Sequence, residues 1–165
     1  LIIDDDISVI KSIGKTFTTM TQGFLVLTAT SANEGLSMLK EQRPDVVLLD
    51  IRLGPKSGMD LLKDFEGYFN EPANRRHKPR YIVITAYPDE QIEKQAKEIY
   101  HVDAFLMKPV KDEAIRRVVM RSVQKILESF HDQLNAYTKG EPLAKKKEEV
   151  SRKLEEELKH PRETS

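Results

Sequence analysis

Apolar positions along this chain follow two different patterns. Leu1-Ile2-Ile3, Phe24 to Ala29, Val46-Val47-Leu48-Leu49, Tyr81-Ile82-Val83-Ile84 and Ala104-Phe105-Leu106-Met107 are short continuous runs. Runs of this length, bounded by breakers, are expected of strands buried on both faces of a parallel sheet. Between them the apolar residues recur every three or four positions. Ile7, Ile10, Ile13 or Gly14, and Phe17 share one helical face in a segment reaching Met20. Further helices are predicted over residues 32–42, 59–69, 88–100 and 111–138. Strands alternating with helices predict a doubly wound α/β sandwich of five parallel strands with right-handed crossovers.

The punctuation agrees with this order. Pro44 precedes the run Asp45-Val46-Val47-Leu48-Leu49-Asp50, and Ile51-Arg52-Leu53-Gly54-Pro55 follows it as loop. Gln22-Gly23 stops the first helix, and Ser31-Ala32-Asn33-Glu34 reads as a capping box opening the second. Residues 70–79 form a polar loop with a basic cluster, Arg75-Arg76-His77-Lys78, which suits either a solvated insertion or a docking patch.

Chemistry enters at the ends of the apolar runs. The first ends in Asp4-Asp5-Asp6, the third in Asp50, the fourth in Thr85 and the fifth in Lys108-Pro109. A parallel sheet brings these ends to one edge, where open α/β sheets place their ligands. Clustered carboxylates repel one another unless a hard cation joins them, and Mg²⁺ suits one or two carboxylates with water and phosphate oxygens. A lysine and a hydroxyl beside them complete a pocket for a phosphoryl group.

Composition narrows the picture. In 165 residues, 39% are hydrophobic and 33% charged, as expected for one globular core with a charged appendage. The 27 basic and 27 acidic residues cancel, so no global field points to nucleic acid or an anionic membrane. The absence of cysteine excludes disulfides and thiolate metal sites. No apolar run approaches the roughly 20 residues of a membrane span, and a cytoplasmic location is expected. The chain opens inside a strand without a Met, so further residues are expected before Leu1.

An acidic pair, an acceptor Asp, a Thr and a Lys-Pro in this order resemble the receiver domain of two-component response regulators. The resemblance covers residues 1 to about 125 and implies the flavodoxin- or CheY-like fold, with residues 126–165 as a helical extension or linker. It implies Mg²⁺ bound directly by Asp5, through water by Asp4, and by Asp50 and the Arg52 backbone carbonyl. Asp50 would be the phosphoacceptor, with Thr85 and Lys108 as its partners and Phe105 as an aromatic switch. Arg52 and Tyr87 occupy the positions that tune phosphoryl lifetime in the family. The implied partner is a histidine kinase or phosphotransfer protein, and the implied role is signalling rather than enzymatic turnover. An aspartyl phosphatase or phosphotransferase is the alternative, and Arg52, standing where such enzymes need a second acid, argues against it. One departure is Gly54-Pro55, where the family commonly has proline at the first of these positions.

The last helix is longer than a five-stranded sheet requires. Ile115, Val118, Val119 and Ser122 can face the sheet. Met120, Val123, Leu127, Phe130, Leu134 and Tyr137 fall at spacings of three and four, an a/d seam expected to form a homodimer or to pack within the chain. Lys139-Gly140-Glu141-Pro142 breaks the pattern, and residues 143–160 carry Val150, Leu154 and Leu158 as the narrow stripe of an additional helix. His131-Asp132-Gln133-Leu134-Asn135 resembles a phosphotransfer histidine box, so phosphorylation of His131 is a second reading of the extension.

Overall fold

A computed structural model of the chain describes residues 1–18, 23–75, 78–87 and 89–137. Five parallel strands form one sheet: β1 (Ile2–Ile3), β2 (Thr28–Ala29), β3 (Val46–Asp50), β6 (Arg80–Thr85) and β7 (Ala104–Met107), in the order β2-β1-β3-β6-β7. A small antiparallel pair, β4 (Arg52–Leu53) and β5 (Lys56–Ser57), sits between β3 and the next helix. The helices are α1 (Ile7–Thr18), α2 (Ala32–Gln42), α3 (Gly58–Asn70), α4 (Glu90–Tyr100) and α5 (Asp112–Tyr137).

The continuous apolar runs are explained by burial on both sides. Side chains alternate across a strand, so Ile3, Val47, Leu49, Tyr81 and Val83 meet α2, α3 and α4 through Leu39, Leu61, Leu62, Phe65 and Ala96. Ile2, Leu48, Ile82 and Ile84 point the other way, onto Ile10, Ile13 and Phe17 of α1 and Ile115 and Val119 of α5. Gly35 lets α2 lie close on β1, since a Cβ there would stand 2.7 Å from Ile3 Cδ1.

Several sequence expectations are corrected. Ile7 does not join the buried face of α1: it is 56% exposed, and the face runs instead through Ile10, Ile13, Thr16 and Phe17. The first turn stands at the solvent-facing cap, where Asp6 accepts the Ser8 N–H and hydroxyl. The second strand is two residues rather than six: its ladder with β1 pairs Ile2 with Thr28 and Ile3 with Ala29. Leu25, before it, is 80% exposed. Ser31 caps α2 as expected, accepting the Glu34 N–H at 3.3 Å, but the Glu34 carboxylate bonds the Thr30 N–H at 2.7 Å instead of returning to Ser31.

The seam on α5 divides. Met120 is only 7% exposed and belongs to the buried core, and Val123 packs against the α1 side of the sheet. Leu127, Phe130 and Leu134 are exposed at 40%, 58% and 36%. The helix breaker at 139–142 and the helix expected over 143–160 lie outside the described residues, as do Met20, Gln22, Arg76, His77 and Pro88.

Candidate functional site

The carboxyl edge of the sheet gathers the residues at which the apolar runs end. Asp4 follows β1, Asp50 ends β3, Thr85 ends β6 and Lys108 follows β7. Asp4, Asp50 and Thr85 are buried at 2%, 6% and 1% exposure, whereas Asp5 is exposed. Lys108 Nζ lies between the two buried acids, donating to Asp4 Oδ2 at 2.6 Å and to Asp50 Oδ2 at 2.5 Å. The other oxygen of each acid receives a backbone N–H: Asp6 N donates to Asp4 Oδ1 at 2.9 Å and Arg52 N to Asp50 Oδ1 at 3.1 Å. Burial is thus offset by charge-assisted hydrogen bonds to each acid.

Electrostatics follow from this crowding. Loss of solvent raises the Asp4 carboxyl above the usual range, with the Asp50 charge adding to it, against the lowering by Lys108 and the Asp6 N–H. Burial works to lower the Lys108 ammonium, but its bonds to Asp4 and Asp50 outweigh burial and its pKa is raised. The lysine is therefore held charged, as a counter-ion to the two acids.

The loop after Asp50 is shaped by three local features. Gly54, at φ +67°, turns the chain from β4 to β5 in the left-handed region that glycine tolerates. The departure at Gly54-Pro55 is thereby resolved as a tight hairpin. Lys56 pairs with Asp64 and fastens that hairpin to α3. Ser57 and Asp60 form a reciprocal capping box, and Gly58 N donates to Ile51 O at 2.7 Å. The first residue of α3 thus touches the end of β3. A Cβ on Gly58 would lie 2.2 Å from the Asp50 carbonyl oxygen, so glycine is required there.

Thr85 is at the site edge but its hydroxyl is engaged with Tyr87: Tyr87 N donates to Thr85 Oγ1 at 3.2 Å, and Thr85 Oγ1 contacts Tyr87 O at 3.4 Å. Tyr87 in turn lies under Arg52, whose guanidinium carbon is 3.8 Å from the ring centroid. The sequence marks each residue singly but not their contact, which depends on how the loops after β3 and β6 converge. Phe105 is partly buried against the α2–α4 side of the core. The Lys108–Pro109 peptide is cis.

One oxygen each from Asp4, Asp5 and Asp50 lie within 4.8 Å of one another. Hard, anionic oxygen donors around one point fit Mg²⁺ and not a soft metal. His131 is remote in sequence from this edge, on the distal part of α5. Its Nδ1 is 3.1 Å from Asn135 Nδ2 and its Nε2 is buried, a poor disposition for accepting a phosphoryl group.

Comparison with known proteins agrees with this geometry. The sequence profile of the response regulator receiver domain matches residues 1–120. The chain belongs to the receiver-domain family of two-component signal transduction. It is 31% identical over 123 residues to an uncharacterized response regulatory protein of Staphylococcus epidermidis, covering 73% of this chain and 45% of that one. It is 28% identical over 125 residues to the probable C4-dicarboxylate response regulator DctR of Bacillus subtilis, covering 75% and 51%. The chain thus spans about half the length of these relatives. Among solved structures, a response regulator receiver domain protein from Clostridium thermocellum superposes with a TM-score of 0.62 at 26% identity, covering 75% of this chain and 92% of that one. A CheY-like receiver from Methanospirillum hungatei superposes with a TM-score of 0.61 at 23% identity, covering 80% and 94%. Among the described residues no helix is long and apolar enough to cross a membrane.

Proposed function

We propose that this receiver takes a phosphoryl group onto Asp50 from the phosphohistidine of a kinase or phosphotransfer protein and passes the change to its last helix. The observation that carries the reading is Lys108 Nζ standing within 2.6 Å of both buried acids, with the Asp50 carboxylate otherwise fixed by one backbone N–H. Asp50 Oδ2 is the attacking atom. As its bond to phosphorus forms, the P–N bond of the donor breaks and the electron pair returns to the imidazole. Lys108 loses one anionic partner and gains phosphoryl oxygens, and the Thr85 hydroxyl leaves Tyr87 to donate to one of them. Phe105, three residues before Lys108, follows the movement.

Asp4, Asp5, Asp50 and the Arg52 carbonyl are the residues that would hold Mg²⁺. Bound there, the ion would supply charge neutralisation for the anionic donor. The backbone N–H at Arg52 and the Gly58 contact orient the attacking carboxylate. The position two after Asp50, where an aspartyl phosphatase needs a second acid, holds Arg52 stacked on Tyr87, which supports a switch over repeated hydrolysis. The module is read as a signalling switch in the cytoplasm, without direct contact to nucleic acid.

Leu127, Phe130 and Leu134 remain on α5 after Met120 and Val123 are absorbed by the core. They are the proposed contact with a second copy. Intact mass after incubation with acetyl phosphate and Mg²⁺ tests the central claim: one added phosphoryl on the wild type and none on Asp50→Asn. Labelling retained in that variant would remove Asp50 as the acceptor.

A further inference from the structure

At the edge of the sheet opposite the acids, a further carboxylate with little exposure is held from two elements at once. The Asp103 side chain is 8% exposed. It accepts Lys125 Nζ at 2.6 Å and Ser122 Oγ at 3.1 Å, both from α5, and pairs with Arg80 Nη1 at 3.6 Å, from the start of β6. Its own N–H donates to Tyr81 O at 2.8 Å. A carboxylate this buried is tolerated only while its partners stay in place. Ser122 and Lys125 are three apart and so share one face of α5, which makes Asp103 a fixed point on that helix.

The arrangement of strands gives the cluster its interest. β6 begins at Arg80 and ends at Thr85, and the segment through β7 begins at Asp103 and reaches Lys108. The same two strands thus carry the hydroxyl and the ammonium of the phosphoacceptor site at one end and the grip on α5 at the other. They are also tied together at both ends, by Asp103 N to Tyr81 O and by Lys108 N to Thr85 O at 2.7 Å. A displacement of Lys108 and Thr85 toward a phosphoryl group pulls on a pair of strands whose opposite ends hold Ser122 and Lys125.

We infer that the Asp103 carboxylate, gripped by Arg80, Ser122 and Lys125, is the joint that makes α5 follow β6 and β7 when the phosphoacceptor site changes state. This rests on the receiver reading and adds a route to it. The distal half of α5 is moved through a polar pivot, not through the apolar contacts of Ile115 and Val119 alone.

The test is hydrogen exchange of the full chain with and without beryllofluoride and Mg²⁺, in the wild type, Asp103→Asn and Lys125→Gln. The second variant alters a side chain that is 42% exposed and keeps the fold measurable if the first is too unstable. The wild type is expected to change exchange at residues 85–87 and 106–108 and, by about fivefold or more, at residues 125–137. In the variants the change at the site is expected to persist while the change at 125–137 falls below about twofold. Basal protection is not the readout, since a merely structural role would lower it without altering the response. An undiminished α5 response in both variants overturns the inference, as does a wild type that binds beryllofluoride with α5 unmoved. A wild type that takes up no beryllofluoride overturns the receiver reading itself, and the inference with it.

Discussion

The Arg52 guanidinium rests 3.8 Å from the centroid of the Tyr87 ring, joining the loop after Asp50 to the loop after Thr85. Tyr87 is 60% exposed, so this is a surface stack, worth about 0.5–1 kcal/mol. The two side chains close together over the loops that flank Asp50. Tyr87→Ala or Arg52→Ala should therefore shorten the lifetime of the phosphorylated protein by a few-fold, with little change in melting temperature. Decay of the phosphorylated mass with time, compared across the variants, measures this. Equal lifetimes would show that water reaches the phosphoryl group by another path.

Magnesium affinity should fall when Asp5 or Asp50 becomes Asn, because each change removes one anionic oxygen from a set within 4.8 Å. Asp5 is the cleaner probe: it is exposed, and no bond from it to Lys108 is seen among the described residues. Titration of Mg²⁺ followed by NMR shifts of the site amides should show at least several-fold weakening for Asp5→Asn. Unchanged affinity would place the ion elsewhere.

Gly58→Ala should disturb the site through the backbone. The added methyl would fall 2.2 Å from the Asp50 carbonyl oxygen, and a helix start and a central strand must separate to admit it. Overpacking of this kind costs roughly 1–3 kcal/mol. Denaturant midpoints should drop accordingly, and phosphorylation by acetyl phosphate should slow although no reacting side chain has changed.

Tyr81 sets an alkaline limit. It is 1% exposed, and burial, with the Glu66 charge adding to it, raises its phenol well above the ordinary value of 10. The unfolded chain releases that proton near pH 10 while the folded chain keeps it. The contribution is therefore fully present below pH 10 and is lost as pH rises above it, at up to about 1.4 kcal/mol per pH unit. Tyr81→Phe should show a shallower loss of stability between pH 9 and 11 in urea titrations. Parallel slopes for the two proteins would contradict this.

Leu127→Glu with Phe130→Glu should yield a folded monomer if these exposed side chains meet a second copy. Burying each would contribute roughly 1.5–3 kcal/mol before entropy is subtracted, so losing two central positions removes most of so short a contact. Sedimentation of the wild type should show dimer at micromolar concentration. A wild type that stays monomeric when phosphorylated would remove the dimer.

The strands and the site residues were readable because burial on two faces leaves a continuous apolar run, and a polar residue ending such a run announces itself. Asp50, Thr85 and Lys108 were found this way. What escaped depends on distance between segments far apart in sequence. Nothing near Asp103 marks it as the partner of Lys125. Nothing at Tyr87 shows that its backbone engages Thr85 while its ring holds Arg52. Met120 fits a heptad as well as it fits a core, and only the position of the sheet decides between them. Ile7 has the right period for a buried face but stands one turn too early.

At 1.5 Å per residue the 26 residues of α5 measure about 39 Å, and roughly 20 Å of that lies beyond Val123, the last of its side chains packed on the apolar core. A rod fastened near its middle converts angle into travel. A tilt of about 5° there, too small to break any contact in the core, would carry the far end through nearly 2 Å. Leu127, Phe130 and Leu134 would move by different amounts in proportion to their distance from the fulcrum. The register of those side chains against any neighbour is thus the most sensitive gauge of what happens at the opposite edge of the sheet.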